Sequence, residues 1–247
     1  MCGRYAIISV PEAMRRLFRY AEQPNFPPRY NVAPTQPVPV VRIAEGARHF
    51  ALMRWGLLPA WVKDPRTFTL LINARAETAS EKPAFRNAMK RRRCLIPADG
   101  FYEWRREGAH KQPFFIRRKD CAPFAFAGLW ETWSGPGGEE MDTAAILTTQ
   151  ANETLQALHH RMPVILPPEA YDLWLDEGAD PREVAGLMVP APKDQLELFA
   201  VSDTVNKVVN DDLRNIAPLA EGAVVPPPRA TRSAKPPAAD DEQMSLF

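Results

Sequence analysis

The order of apolar and polar positions changes character several times along the 247 residues. Residues 11–19 place Met14, Leu17 and Phe18 on one helical face behind Pro11, whose missing N–H is no loss in a first helical turn. Alternation then takes over. Residues 38–43 and 49–54 flank Glu45 and Gly46 and predict a hairpin, while 101–105, 113–117, 125–130 and 143–148 predict further strands, with Glu107 and Gly108 marking another turn. Helical spacing returns at 152–158, at 168–175 behind Pro168 and at 181–188, before a last strand over 196–202. Strands outnumber helices and do not alternate with them. The pattern therefore predicts an α+β fold around a curved, mostly antiparallel sheet or barrel with flanking helices, not a doubly wound sheet. From about Glu221 the chain turns to Pro, Ala and scattered charge, which buries too little apolar surface to offset ordering entropy. Residues 2–220 are expected to form one domain and 221–247 a disordered tail.

With 45% hydrophobic residues the chain can build a real core. It has neither a basic leader running into an apolar stretch nor an apolar run of bilayer length, so a soluble, cytoplasmic protein is expected. Cys2, Cys94 and Cys121 are odd in number and widely spaced, which argues against a disulfide framework and a structural zinc site. No cofactor motif is present, and no metal is expected. The net charge of +1 conceals an asymmetry: residues 1–103 carry 17 Lys and Arg against 8 Asp and Glu, and the remainder 14 against 22. Such polarity suits a surface that meets a polyanion. Its densest run, Lys90, Arg91, Arg92 and Arg93, equally suits the solvated end of a helix.

Chemistry enters at the second residue. Removal of Met1 would leave an α-amine and a thiol together on Cys2, and a 1,2-aminothiol attacks an aldehyde twice to close a thiazolidine ring. Reference pKa values of about 7.7–8.0 for the amine and about 8.5 for the thiol leave a useful fraction of each unprotonated near neutral pH. Three other polar positions stand in unusual settings: Asn73 in an apolar, strand-like segment, Glu103 between Tyr102 and Trp104, and His159 at the end of a predicted helix. Each type also has a plain structural use. Glu103 would pair with Arg105 on an exposed strand face, His159 would complement the negative end of its helix, and Asn73 would form a turn. Together with Cys2 they supply what imine formation needs: a base, an acid near neutrality and an uncharged amide to orient the amine.

The segments MCGRYA at the start, YNVAPTQ (30–36), RWGLLPAW (54–61), NARAET (73–78), RCLIPADGFYEW (93–104), HHRMPVIL (159–166) and VSDTVN (201–206) resemble, in order, the SOS response-associated peptidase (SRAP) family. The resemblance spans Cys2 to about Pro218. It implies a single α+β domain that shields abasic sites, holding single-stranded DNA in a basic groove and linking to the ring-opened deoxyribose through the N-terminal cysteine. By the same resemblance Cys2, Asn73, Glu103 and His159 form the site, with His160 the nearest alternative to His159. A thiol autopeptidase activity that exposes Cys2 is implied as well, and methionine aminopeptidase would give the same product.

Arg4, Arg75 and Arg161 are the expected phosphate contacts, because counterion release supplies affinity without sequence preference. Trp55 and Trp61 are candidates to stack on bases beside the lesion, with core packing an equal use for Trp55; Thr148 matches a family position near the backbone. The final residues Gln243, Met244, Ser245, Leu246 and Phe247 resemble the pentapeptide that docks bacterial repair proteins on the replication sliding clamp. The expected form is a monomer at the nucleoid and replication fork. A competing assignment is an N-terminal nucleophile hydrolase using Cys2 on a peptide or small amide.

Overall fold

The computed structural model describes residues 2–108 and 110–220. The expected tail, with Gln243, Leu246 and Phe247, lies outside the described residues. In chain order the elements are β1 (Tyr5–Ile7), α1 (Pro11–Phe18), β2 (Arg29–Val32), β3 (Pro37–Ala44), β4 (Ala47–Trp55), β5 (Asn73–Arg75), α2 (Arg86–Arg91), β6 (Arg93–Ala98), β7 (Gly100–Glu107), β8 (His110–Arg118), β9 (Phe124–Ser134), β10 (Glu140–Gln150), α3 (Glu153–Gln156), β11 (Arg161–Pro163), β12 (Ile165–Leu166), α4 (Tyr171–Leu175), α5 (Pro181–Gly186) and β13 (Leu196–Ala200).

Strands β10, β4, β3, β6 and β9 pair in a ring, because β9 also pairs with β10 and closes the sheet. Closure leaves this barrel no free edge in the ring itself. The pairings of β10 with β4 and β5 are parallel; the other pairings in this sheet are antiparallel. A second, wholly antiparallel sheet runs β13-β8-β7-β1-β2. The two meet through aromatic rings: Tyr5 of β1 packs edge-on against Trp55 of β4 at 5.4 Å and Phe126 of β9 at 5.8 Å. Offset and edge-to-face contacts of this kind add to the area they bury. The mixed α+β architecture and the curved, mostly antiparallel sheet agree with the sequence pattern.

The corner that joins the sheets sets up the site. Ala98 ends β6 opposite Phe124 in the barrel, and Gly100 begins β7 opposite Arg117 in the second sheet. Between them the buried Asp99 carboxylate accepts from the Ile8 and Ser9 backbone N–H groups at 2.5 and 2.9 Å, tying the turn to the end of β1. Glycine is required at 100, since a Cβ there would lie 2.2 Å from Phe115 Cζ and 2.7 Å from the Ile116 carbonyl oxygen. The predicted hairpin forms as β3 and β4 around Glu45 and Gly46, with φ of 50° and 77°, the left-handed pair a two-residue turn prefers. Alternation did not reveal β6 because all six of its residues, Arg93 included, are buried, so neither face is exposed. No helix among the described residues is long and apolar enough to cross a membrane.

Candidate active site

Four separate elements bring Cys2, Asn73, Glu103 and His159 together. Strand β1 lies antiparallel to β7, with Tyr5 opposite Phe101 and the Tyr102 N–H donating to the Arg4 carbonyl, which carries Cys2 to the level of Glu103. Strand β5 runs parallel to β10 with Asn73 opposite Ile146. From there the Asn73 amide donates to the Cys2 carbonyl oxygen at 2.9 Å. Asn152 caps helix α3, its side chain accepting the Leu155 N–H at 3.1 Å, and the His159 N–H closes the next turn on the Leu155 carbonyl at 3.0 Å. The chain then enters β11, so the imidazole is fixed between a capped turn and a paired strand.

Six buried side-chain polar atoms among the described residues lack a hydrogen-bond partner, and two of them lie here. The Asn73 Oδ1 acceptor and the Arg161 Nε donor are both buried without a hydrogen-bond partner. Unmet buried polar groups cost free energy and are expected where a ligand completes them. With its nitrogen on the Cys2 carbonyl, the Asn73 amide presents its unmet oxygen beside the backbone of Cys2.

Cys2 is fully buried, and that burial, reinforced by the Glu103 carboxylate, pushes its thiol far above the ordinary range for cysteine. The thiol is therefore protonated at neutral pH. His159 moves the other way for the same leading reason: burial lowers it, with Glu103 opposing. Its Nδ1 accepts the Arg161 N–H at 2.9 Å, which leaves the proton of the neutral ring on Nε2. His160 stacks on it, with centroids 4.3 Å apart. Glu103, Trp104, Arg106, Lys111, His159 and Asn206 line an open cleft of about 470 Å³, with two cations on its wall and the carboxylate among them.

The predicted nucleic-acid contacts divide by exposure. Arg75 and Trp61 are exposed, the indole by 59%. Arg4 is half-buried, its guanidinium donating to Asn31 Oδ1 and the Val205 carbonyl, both at 2.7 Å. Trp55 is a core residue: it is fully buried, packs on Tyr5 and donates its indole N–H to the Ile72 carbonyl at 3.0 Å. It cannot stack on a base from there, and Thr148, also fully buried, has its hydroxyl against the Ala74 carbonyl instead of a phosphate. Arg161 is nine-tenths buried, with its guanidinium gripping Glu77 at 2.6 and 2.9 Å and the Thr148 carbonyl at 2.5 Å. It braces the site from within. The sequence pattern did not single out Trp104, Arg106, Lys111, Glu77 or Asn206; Glu77, Trp104 and Asn206 sit inside the NARAET, RCLIPADGFYEW and VSDTVN segments, which were the available signal.

Comparison with other proteins bears on the family of the chain as a whole. The family profile described as SOS response associated peptidase (SRAP) matches residues 1–208. The abasic site processing protein YoqW of Bacillus subtilis is 41% identical over 217 residues, covering 85% of this chain and 96% of its own. The abasic site processing protein YedK of Escherichia coli is 32% identical over 229 residues, covering 89% of this chain and all of its own length, 100%. A crystal structure of a protein from Bacteroides thetaiotaomicron superposes with a TM-score of 0.80 at 28% identity, covering 89% of this chain and 100% of that one. A profile match over most of the chain and relatives of this identity along nearly their whole length establish kinship: this chain belongs to the SOS response associated peptidase (SRAP) family.

Proposed function

We propose that this protein processes abasic sites in single-stranded DNA by capturing them covalently on Cys2 after Met1 has been removed. The observation that carries this reading is the hold of Asn73 on the Cys2 carbonyl, with the Asn73 Oδ1 acceptor buried and unmet. The names of the relatives, abasic site processing proteins, point to the same substrate.

The chemistry follows in two bond-forming steps. The Cys2 amine attacks C1′ of the ring-opened sugar aldehyde, and the carbinolamine loses the carbonyl oxygen as water to give an imine. Glu103 takes up the protons released by the amine and returns them to the carbonyl oxygen, which leaves as water, while the His159 Nε2–H donates a hydrogen bond to that departing oxygen. The Cys2 sulfur then adds to the imine carbon, passing its proton to the nitrogen, and closes the thiazolidine. A thiol held protonated by burial favours this order, with the amine first and the sulfur second. Arg75 on phosphates and Trp61 on bases give the unpaired strand a grip that is tolerant of sequence. Met1 is removed by the protein's own thiol or by an aminopeptidase, and the monomer reaches forks through residues 243–247 on the sliding clamp.

Cys2→Ser tests the ring. It keeps the amine and closes only a less favoured oxygen ring, so its adducts with abasic oligonucleotides should be lost on heating while wild-type adducts persist. Equal heat stability would remove the thiazolidine. Deleting residues 243–247 should abolish co-elution with the clamp and leave oligonucleotide capture intact; unchanged co-elution would remove the docking role.

A further inference from the structure

Beyond the VSDTVN segment the chain makes a tight turn that is heavily pinned yet displays two bare valines. The Asn210 N–H closes the turn on the Lys207 carbonyl at 3.0 Å. Asn31, fully buried, reaches its base with one amide nitrogen that donates to the carbonyls of Val205, Lys207 and Asn210 at 3.1, 3.1 and 2.7 Å. The Asn210 side chain donates to the Thr204 carbonyl at 2.8 Å. Asp211 accepts from Arg29 Nε at 2.5 Å and from the Tyr30 and Asn31 N–H groups at 2.5 and 2.9 Å. Arg4 adds its own bond to Val205. Against this rigidity, Val208 is 39% and Val209 86% exposed. A floppy surface loop tolerates exposed valines at little consequence; a turn held by so many bonds presents them in a fixed place.

That place adjoins the cleft. Asn206 lines the cleft and accepts the Trp104 indole N–H at 2.8 Å. Consecutive Cα atoms are about 3.8 Å apart, so Val208 lies within about 7.6 Å of Asn206 along the chain. On the scale of about 3.4 Å per nucleotide step in a stacked strand, this is the reach of the neighbours of a nucleotide seated in the cleft. Lys207 beside the valines, and Arg106 and Lys111 on the cleft wall, suit a phosphate-bearing occupant. The acids of the turn are matched by arginines, Asp211 by Arg29 and Asp212 by Arg214.

We infer that Val208 and Val209 form an apolar wedge that packs against the base next to a nucleotide held in the cleft and keeps that part of the strand unstacked. Apolar side chains inserted at base steps act this way in bent nucleic-acid complexes. The role rests on the reading of the cleft as a DNA site, and it concerns only the flanking base.

The test uses the full chain with its natural termini and a single-stranded oligonucleotide carrying a stable abasic analogue, with 2-aminopurine at successive positions either side of it. Wild type should bind and alter the fluorescence of one flanking position. Val208→Ser with Val209→Ser should weaken binding about fivefold or more and lose that signal, while the yield of covalent adduct at saturating abasic DNA stays at the wild-type level. Val209→Trp, which enlarges the stacking surface on the same pinned turn, should tighten binding. Equal affinity and fluorescence in wild type and both variants would overturn the wedge alone. A wild-type protein that captures no abasic DNA would overturn the reading of the cleft, and the wedge with it.

Discussion

The Asn73 side-chain amide donates to the backbone carbonyl of Cys2 at 2.9 Å, joining two residues 71 positions apart in the sequence. This bond spans the two sheets, since Asn73 belongs to β5 against the barrel and Cys2 leads into β1 of the second sheet. It fixes the backbone from which the reactive groups project. Replacing Asn73 with Ala removes a hydrogen bond with a net worth of about 0.5–1.5 kcal/mol and also the buried, unmet Oδ1 acceptor. Single-turnover capture of abasic DNA should slow about tenfold or more, equivalent to about 1.4 kcal/mol, with DNA affinity nearly unchanged. A matched loss of affinity with no loss of rate would assign Asn73 to binding.

His159 should titrate below an ordinary histidine. Burial disfavours its cation, and protonation of Nδ1 would break the bond it accepts from the Arg161 N–H. The unfolded chain then takes up this proton before the folded one, so the contribution is present above the unfolded pKa and is lost as pH falls through the folded value. The imidazole midpoint followed by NMR should lie below 6.5, the ordinary histidine value. A midpoint above it would place a dominant anionic partner on the ring.

Glu77 should matter for stability because it neutralises a buried guanidinium. Arg161 has a side chain only 10% exposed, whereas Glu77 is 46% exposed, so the pair stands between the buried and surface cases. Glu77→Gln should cost about 1–2 kcal/mol, more than a surface pair and less than a fully buried one. Urea unfolding measures this, and a change under about 0.5 kcal/mol would contradict the brace.

The two tryptophans of the RWGLLPAW segment should separate cleanly. Trp55→Phe loses a buried hydrogen bond and part of the contact with Tyr5, so it should lower stability by about 1–3 kcal/mol. Trp61→Ala, at an exposed site, should leave unfolding within about 0.5 kcal/mol of wild type and weaken single-stranded DNA binding about fivefold or more. The reverse pattern would exchange their roles.

Local pattern made the α+β class, the β3–β4 hairpin and the candidate group of Cys2, Asn73, Glu103 and His159 legible, because turns, prolines and polar residues in apolar runs leave local marks. Ring closure is different. Nothing in the residues of β9 announces that it pairs with both β6 and β10, a relation between segments far apart. Strand β1 was hidden for a related reason: Tyr5, Ala6 and Ile7 are all buried, so no alternation remains. The burial of Trp55 and Thr148 was equally invisible, since an aromatic or a threonine on a strand serves a groove or a core with the same sequence. Arg161 looked like a phosphate ligand because its partner, Glu77, lies 84 residues away.

The central claim concerns the terminus of the mature chain and is tested most directly by intact mass. After purified protein is mixed with an abasic single-stranded oligonucleotide, the adduct should weigh the chain without Met1 plus the oligonucleotide minus one water, and Cys2→Ala should give none. An adduct of full yield on a chain that retains Met1, or on the Cys2→Ala protein, would contradict capture through the Cys2 amine and thiol.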